Sequence, residues 1–182
     1  MRSLKLRGSS VSGFTILELT TVILIIAILV TMLVGISASM YARAEKSKCM
    51  ANLRNLYYGA SCHVMDQGHW PQIDPGLMQG ESTEYARLWI QALSPYGLTQ
   101  QNWICASQQR TLGSPDLTLK ESMRLDYNGT PFDTQPYTPF RWGKQPWFVE
   151  HAAVHDGGPL LIYANGQVVP LSDAAKRQAP GK

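Results

Sequence analysis

The sequence places one carboxylate, that of Glu18, directly before a long apolar segment. The 24 residues from 19 to 42 carry no charged side chain. A carboxylate at the centre of a membrane-spanning helix costs about 2.5–3.5 kcal/mol, and such groups usually have a partner. Glu18 lies near the end of the segment, where the cost is smaller. The sequence therefore raises the question of which cation this carboxylate pairs with.

The residues around Glu18 resemble the signature of type IV prepilins, which the type II secretion pseudopilins share. The matching features are a short basic leader, Gly13, the aromatic Phe14, a glutamate at a fixed offset and a long apolar helix. The resemblance implies that a prepilin peptidase cuts between Gly13 and Phe14 and then N-methylates Phe14. It also implies a structural protein that is not an enzyme and has no catalytic residue and no cofactor.

Cleavage after Gly13 would create a partner for Glu18. Before cleavage residue 14 has a neutral peptide nitrogen. Afterwards it carries an α-amine with an ordinary pKa of about 7.7–8.0, which is largely cationic at neutral pH and keeps its charge when methylated. An ion pair in a low dielectric is attractive only if its geometry is good. We expect this amine to pair with Glu18 of a neighbouring subunit and to set the axial register of a helical filament.

Two other interpretations of the N-terminus stay open. Ser37-Ala38-Ser39 resembles the cleavage site of an ordinary signal peptide, although the apolar stretch exceeds the usual length of about 7–15 residues. A plain single-span anchor needs about 20 apolar residues. Neither accounts for a glutamate five residues after a glycine. Basic residues flank both ends of the segment, so that only the prepilin resemblance places the leader in the cytoplasm.

The chain has three cysteines, Cys49, Cys62 and Cys105. On one helix Cys49 and Cys62 would lie about 20 Å apart, far beyond the limit of about 7 Å between the Cα atoms of a disulfide. If the head lies outside the cytoplasm, where oxidation is permitted, Cys62 and Cys105 form the more plausible disulfide. Three free and mostly buried thiols are the other interpretation.

His151, His155 and Asp156 form the one histidine cluster with metal-binding spacing. On a helix the two imidazoles would share a face and could hold zinc. The glycines and the proline that follow Asp156 break such a helix at once, so we expect no metal site. The nearby carboxylates also lack the spacing of a calcium loop. An anchored enzyme that uses these three residues is an alternative.

A long helix must carry the N-terminal residues. Small or apolar residues recur at helical spacing at positions 49, 53, 56, 60 and 64. One helix is therefore predicted over 14–66, with a transmembrane first half at about 16–38 and a second half that packs on a head. Gly68 is expected to cap its end. The residues Asp66, Gly68, Trp70 and Pro71 also resemble a turn that follows the long helix in many pseudopilins.

The head, residues 67–182, is predicted to be α+β. Apolar spacing predicts a second helix over 84–93 with Tyr85, Leu88, Trp89 and Leu93 facing inward. Residues 102–106 are predicted to form a short strand, and residues 108–120 an exposed loop. Residues 124–147 mix aromatic residues with four prolines, which disfavour regular sheet. This aromatic-proline stretch either packs irregular chain onto the core or presents a recognition surface.

The C-terminal part of the head carries the clearest β signal. Residues 160–164 and 167–169 flank Asn165-Gly166, which predicts an antiparallel hairpin with a type I′ turn. His155, nine further residues and Asn165-Gly166 resemble the H-X9-DG element at the C-terminus of many prepilin-like proteins. Here asparagine replaces the aspartate, which removes a carboxylate but keeps a residue that tolerates left-handed backbone. We interpret the element as turn geometry and not as a metal site.

Charge and length complete the prediction. The net charge is +3, but three basic residues lie in the leader, so that residues 14–182 hold 13 basic and 13 acidic side chains. A nucleic-acid partner is therefore not indicated. We expect a cleaved leader over 1–13, and a single-pass protein of the bacterial inner membrane with its head in the periplasm or on the cell surface. The expected partners are the prepilin peptidase, other pilin or pseudopilin subunits, the inner-membrane assembly machinery and lipid. A membrane-anchored adhesin or ligand-binding minor pilin that uses the aromatic-proline stretch is the alternative function.

Overall fold

The computed structural model describes residues 13–79, 82–113 and 123–178. Its longest element is helix α1, Ile16–Gln67, with 52 residues. The chain divides into two compact units, Met1–Tyr41 and Ala42–Lys182. The second half of α1 thus belongs to the same unit as the head, as the predicted packing of that half requires. The predicted leader, except Gly13, lies outside the described residues.

The described part of the first unit is the N-terminal half of α1 and the three residues before it. Large apolar side chains are exposed all around this half, among them Val22, Ile23, Leu24, Ile25, Ile26, Ile28, Leu29 and Val30. The hydroxyls of its threonines donate to carbonyls three residues earlier, as Thr31 does to Ile28 at 2.8 Å. Among the described residues, no helix meets the length and hydropathy that a membrane span requires.

Helix α1 ends as its sequence predicts. Gly68 has a φ of 79°, in the left-handed region that glycine adopts at low cost. Its N–H donates to the carbonyl of Val64 at 2.9 Å, which satisfies a carbonyl at the end of the helix. The chain then turns away, and Trp70 enters the core with no exposed surface.

In its described residues, the head unit adds four shorter helices and a four-stranded sheet to the second half of α1. The helices are α2 (Ser82–Leu93), α3 (Ala106–Leu112), α4 (Thr138–Arg141) and α5 (Leu171–Gln178), and 3-10 turns cover Pro75–Met78, Ser94–Tyr96 and Gln100–Trp103. The strands are β1 (Tyr127–Gly129), β2 (Pro146–Glu150), β3 (Leu160–Tyr163) and β4 (Val168–Pro170). The described chain therefore confirms the predicted α+β class and the long N-terminal helix.

The sheet is an antiparallel meander with the order β1-β2-β3-β4. Tyr127 lies opposite Glu150 in the first pair of strands, and Leu161 lies opposite Val149 and Val169 in the next two pairs. The predicted C-terminal hairpin is confirmed as β3 and β4. Pro170 ends β4, an edge strand, which is where a proline without an N–H donor is tolerated.

The core of the head lies between the stripe of α1, α2 and the sheet. The five stripe residues predicted from helical spacing are all fully buried: Cys49, Leu53, Leu56, Ala60 and Val64. Aromatic rings fill the space beyond them. The ring of Trp70 lies 5.0 Å from that of Trp147 and 5.1 Å from that of Phe132, both edge to face. Most aromatic residues of the aromatic-proline stretch thus pack in or against the core, whereas Tyr137 and Trp142 are exposed.

Two predicted elements of the head are wrong. Residues 102–106 do not form a strand, because Asn102 Oδ1 accepts hydrogen bonds from both the N–H and the hydroxyl of Thr99, at 2.8 and 3.1 Å, and starts a 3-10 turn. The predicted loop over 108–120 begins instead as α3, in which Gln108 is buried. The rest of that loop, residues 114–120, lies outside the described residues.

Candidate functional site

The predicted processing residues precede the first turn of α1. Phe14 is 81% exposed. A Cβ atom placed on Gly13 would meet no described heavy atom within 4 Å. Neither residue belongs to a helix or a strand. The peptide bond between them is therefore open to an approaching enzyme in the described part of the chain.

Glu18 has a local partner, Thr15, which was not among the predicted interactions of this carboxylate. Glu18 Oε2 accepts hydrogen bonds from the N–H and the hydroxyl of Thr15, at 2.9 and 3.0 Å. The Glu18 N–H donates in turn to Thr15 Oγ1 at 3.2 Å. This reciprocal arrangement is a capping box, which satisfies donors at a helix start. One carboxylate oxygen of Glu18 thus serves the helix end, and a role in assembly must be separated from this one.

The C-terminal residues His155, Asn165 and Gly166 lie in two different places. Asn165 and Gly166 form the turn between β3 and β4, where the Gly166 N–H donates to the Tyr163 carbonyl at 2.8 Å. Gly166 has a φ of 74°, whereas Asn165 is not among the described residues with positive φ. A type I′ turn needs positive φ at both positions, so the predicted turn type is wrong. The hydrogen bonds fit a three-residue loop closed by a left-handed glycine.

Of the two interpretations of the cysteines, the structure has the three free and mostly buried thiols and not the Cys62–Cys105 disulfide. All three cysteines are free; Cys62 is exposed and Cys105 is buried. The thiol beside Cys105 is that of Cys49, on the buried stripe of α1. Because Cys62 follows Cys49 by 13 residues on the same helix, it cannot reach the same place.

Four side chains from separate parts of the head converge in its interior: Cys49, Cys105, Glu150 and His155. We call this group the thiol-carboxylate cluster. Cys49 is positioned by α1, and Glu150 by the end of β2. Cys105 precedes α3, and its N–H donates to Asp126 Oδ2 at 2.8 Å. His155 lies in the connection between β2 and β3, where Gly157 and Gly158 adopt positive φ and turn the chain back.

The distances in the thiol-carboxylate cluster are short. One donor atom from each of the four residues lies within 4.8 Å of the other three. His155 Nε2 is 3.8 Å from Cys105 Sγ and 3.2 Å from Glu150 Oε1. Glu150 Oε2 accepts a hydrogen bond from the Leu160 N–H at 3.1 Å. These atoms are close enough to share a proton or a single metal ion.

Burial controls the electrostatics of this cluster. The side chains of His155 and Glu150 are 3% and 0% exposed. Burial raises the pKa of Glu150, because a charged carboxylate loses its hydration. A hydrogen bond from the Cys105 thiol lowers the pKa of Cys49, which favours a thiolate there. The same interaction, together with burial, raises the pKa of Cys105.

His155 joins this cluster without the other two residues considered with it. His151 is exposed, and its Nδ1 lies 3.3 Å from Asn128 Nδ2. Asp156 is also exposed, and its backbone carbonyl accepts a hydrogen bond from Lys46 Nζ at 3.2 Å. The predicted alternative of an enzyme built on His151, His155 and Asp156 is not supported, because the three side chains do not converge.

Cys49 and Glu150 were missed as candidate site residues, and Cys105 was considered only as a possible disulfide partner of Cys62. Cys49 was predicted to be an ordinary member of the buried stripe. Glu150 carried a signal, since a carboxylate beside Trp147, Phe148 and Val149 is unusual in a buried strand and calls for a partner. Comparisons of the chain with protein families, with curated proteins and with solved structures found no match.

Proposed function

We propose that this chain is a structural subunit of a type IV pilus-like or type II secretion pseudopilus filament, processed after Gly13 and N-methylated at Phe14. One observation carries the proposal: Gly13-Phe14 stands at an open position directly before a helix that begins with Glu18 and continues without charge to residue 42. The protein is then the substrate of a prepilin peptidase and performs no chemistry itself.

The exposed side chains of the first unit support the proposal that this half of α1 is surrounded by lipid or by other helices. Its exposed apolar side chains occupy all sides of α1, which is the pattern of a helix buried in lipid or among other helices. Thr20, Thr21 and Thr31 satisfy their hydroxyls within the helix. In lipid such helices associate through close packing, because apolar burial between them gains little. We infer a transmembrane segment at about 16–38 and, in the filament, a core of packed helices.

The head supports a pilin-like arrangement. The second half of α1 buries one complete stripe, and a small antiparallel sheet completes its core. Such a unit would be carried on the surface of a filament whose interior consists of the first unit. The partners in this proposal are the peptidase, other subunits of the filament, the inner-membrane assembly machinery and lipid, with the head outside the cytoplasm.

Mass spectrometry of the purified protein tests the processing step. The full chain is produced in a bacterial host with and without a prepilin peptidase. With the peptidase, we expect the N-terminal peptide to begin at Phe14 and to carry one methyl group; without it, the chain keeps its leader. A chain that keeps Met1 in the presence of an active peptidase, or that is cut near Ser39, would refute the proposal.

Two substitutions separate the role of Glu18 in assembly from its role in the cap. Glu18→Gln keeps a side chain that can accept the Thr15 hydrogen bonds but removes the charge. Thr15→Val removes the hydroxyl that takes part in the capping box and leaves the charge. We expect both variants to be processed, Glu18→Gln to form at least tenfold less filament, and Thr15→Val to assemble within about twofold of wild type. Equal yields from Glu18→Gln and wild type would show that the charge has no role.

A second candidate function rests on the exposed part of the aromatic-proline stretch. Trp142 is 60% exposed and lines a surface depression of about 1100 Å³ together with Arg141, Lys144 and Arg177. An exposed indole among cations is suited to an anionic or sugar-like ligand, which an adhesin or a ligand-binding minor pilin would hold.

Point substitutions test this second function better than deletion of the stretch. Deleting residues 131–146 would remove Phe132 and Phe140, which pack on the core, and Pro139, whose carbonyl accepts the Trp147 Nε1–H bond at 3.0 Å. Trp142→Ala should instead leave the fold intact and reduce adhesion of cells that display the protein. Unchanged adhesion would discard the adhesin role, and Tyr58→Ala, an exposed aromatic residue on α1, is the control.

A further inference from the structure

We propose that the thiol-carboxylate cluster, Cys49, Cys105, Glu150 and His155, binds one divalent transition-metal ion of the zinc class. The ion would join the second half of α1 to the sheet and to the start of α3. This site lies in the head and plays no part in leader processing. A test of metal binding is therefore independent of any test of the proposed filament function.

The donor atoms select the class of metal. Zinc in proteins is bound by cysteine sulfur, histidine nitrogen and carboxylate oxygen, four-coordinate in structural sites. Two thiolates and one imidazole disfavour magnesium and calcium, which take oxygen ligands. Two thiolates, one carboxylate and a neutral imidazole around a dication leave one net negative charge. A zinc site of three cysteines and one histidine carries the same charge.

The distances agree with a four-coordinate site. Metal–ligand bonds of about 2.0–2.3 Å in a tetrahedron separate the ligand atoms by about 3.3–3.8 Å. Here the Nε2 atom of His155 is 3.8 Å from Cys105 Sγ and 3.2 Å from Glu150 Oε1. The remaining pairs, including the two sulfurs, lie within 4.8 Å. Only modest rotations of the side chains are needed to place all four atoms around one ion.

Burial of the carboxylate gives an independent reason for an ion. A buried carboxylate is strongly unfavourable unless it is paired or coordinates a metal. Glu150 Oε2 has the Leu160 N–H as a donor. The other oxygen, Oε1, has no well-aligned hydrogen bond within the described chain and faces the cluster. A dication among these groups would offset two of the three negative charges that the carboxylate and the two thiolates carry.

The surroundings hold the ligands in place. The backbone N–H of Cys105 is held by Asp126, whose Oδ1 lies 2.8 Å from Arg124 Nε. Glu150 is fixed through its second oxygen, and the hydroxyl of Tyr127 reaches the Cys49 carbonyl at 3.4 Å. Outer contacts of this kind orient ligands and are a usual part of a metal site.

A disulfide between Cys49 and Cys105 is the rival for the same atoms. Oxidation would remove two electrons and two thiol protons from the pair, and both sulfurs would be lost as thiolate ligands. A disulfide would use two of the four converging side chains and would leave Glu150 and His155 unexplained. The metal accounts for all four, which is why we infer the ion.

Metal content of the full chain tests the proposal. The protein is purified in detergent without a histidine tag and under reducing conditions, incubated with Zn²⁺, dialysed and measured by elemental analysis. We expect about one zinc per chain. Replacement by Co²⁺ should give the intense thiolate-to-cobalt absorption of a tetrahedral site, and chelation should lower the thermal midpoint reversibly.

Cysteine variants provide a matched comparison. Cys49→Ser and Cys105→Ser should each lower zinc affinity at least tenfold, whereas Cys62→Ser, an exposed cysteine on the same helix, should bind like wild type. Glu150→Gln and His155→Gln each remove another proposed ligand and should also weaken zinc binding. Circular dichroism shows which of these variants fold, and only folded variants are compared. A reduced, folded wild-type chain that binds less than 0.1 zinc, roughly the level of contamination, would overturn the proposal. So would equal binding by folded Cys49→Ser, or a Cys49–Cys105 disulfide in protein isolated from the cell envelope without reductant.

Discussion

The two units of this chain differ in the environment of their apolar side chains and of one carboxylate each. In the described part of the first unit, large apolar residues are exposed on every side of α1, and the carboxylate of Glu18 is held by a residue three positions away. In the head, the large apolar residues of the core are buried, and the carboxylate of Glu150 lies among residues from distant parts of the chain. The apolar side chains of the described first unit therefore stay exposed in the single chain, whereas those of the head core are covered by other residues of the head.

The stability of the single chain is expected to reside in the head. A side chain that is exposed in the single chain contributes little to its folding, whatever it contributes to assembly. A side chain in a packed core loses both its apolar transfer energy and its contacts when it is truncated. Substitutions of equal size in the two units should therefore give very different effects on the unfolding of the head.

The largest expected effect comes from Trp70. Its ring contacts Trp89, Phe132, Trp147 and Phe148 in the centre of the head. Trp70→Ala should lower the free energy of unfolding by about 3–5 kcal/mol, because it leaves a large cavity. Chemical denaturation in detergent, followed by tryptophan fluorescence, measures this. Ile26→Ala in the first unit is the control and should change the unfolding of the head by less than about 0.5 kcal/mol; similar losses from both would erase the contrast between the units.

A smaller effect is expected from adding a single carbon atom to the core. Gly129 in β1 lies directly against the ring of Trp89, and a Cβ atom there would collide with it. Gly129→Ala should destabilise the head by about 1–3 kcal/mol, since a well-packed core resists extra volume. At Gly143 a Cβ atom would meet no described heavy atom within 4 Å, so Gly143→Ala should be nearly neutral. Equal midpoints of thermal unfolding for the two variants would show that the Trp89 ring moves aside at little cost.

The parts of the fold that sequence predicted are those that depend on near neighbours. Helical spacing predicted the stripe from Cys49 to Val64, and Gly68 predicted the end of α1, because each signal is complete within a few residues. The hairpin of β3 and β4 was predicted for the same reason. The turn type was wrong because Gly166 alone takes positive φ, and a three-residue loop satisfies the same hydrogen bonds.

The thiol-carboxylate cluster was not predictable in this way. Cys49 and Cys105 are separated by more than fifty residues, and the tertiary fold brings them together, with Asn52 on α1 donating to the Ile104 carbonyl at 2.8 Å directly before Cys105. The capping box of Thr15 and Glu18 is different, since the Thr-x-x-Glu spacing is a local sequence signal for it. Residues 102–106 were wrongly predicted to form a strand. Here too a local signal was present, because Thr99 and Asn102 have the spacing that caps a helical turn and are joined by a hydrogen bond.

The cap at the start of α1 should stabilise the first turn and leave the head unaffected. Thr15→Ala removes the hydroxyl that bonds to Glu18 and should weaken the first turn by about 1 kcal/mol. Hydrogen exchange of the amides in the first turn should accelerate about fivefold in detergent micelles, while the thermal unfolding of the head stays unchanged. Thr21→Ala, which removes a hydroxyl bonded to the Glu18 carbonyl, is the matched control and should leave the first turn protected. A shift of the unfolding midpoint of the head would contradict the independence of its stability from this cap.

The smallest expected effect concerns pH and a partly buried histidine of the head. Burial lowers the pKa of His63, and the nearby charge of His69 lowers it further. The unfolded chain, with an ordinary histidine pKa of about 6.5, therefore binds a proton more readily than the folded head does. The stability linked to His63 is fully present above that ordinary pKa and is lost as pH falls through the lower pKa of the folded state. His63→Gln should lose less thermal stability than wild type between pH 7.5 and pH 5.5, while His151→Gln, at an exposed position, should follow wild type. Parallel curves for all three proteins would mean that His63 is protonated as easily in the folded head as in the unfolded chain.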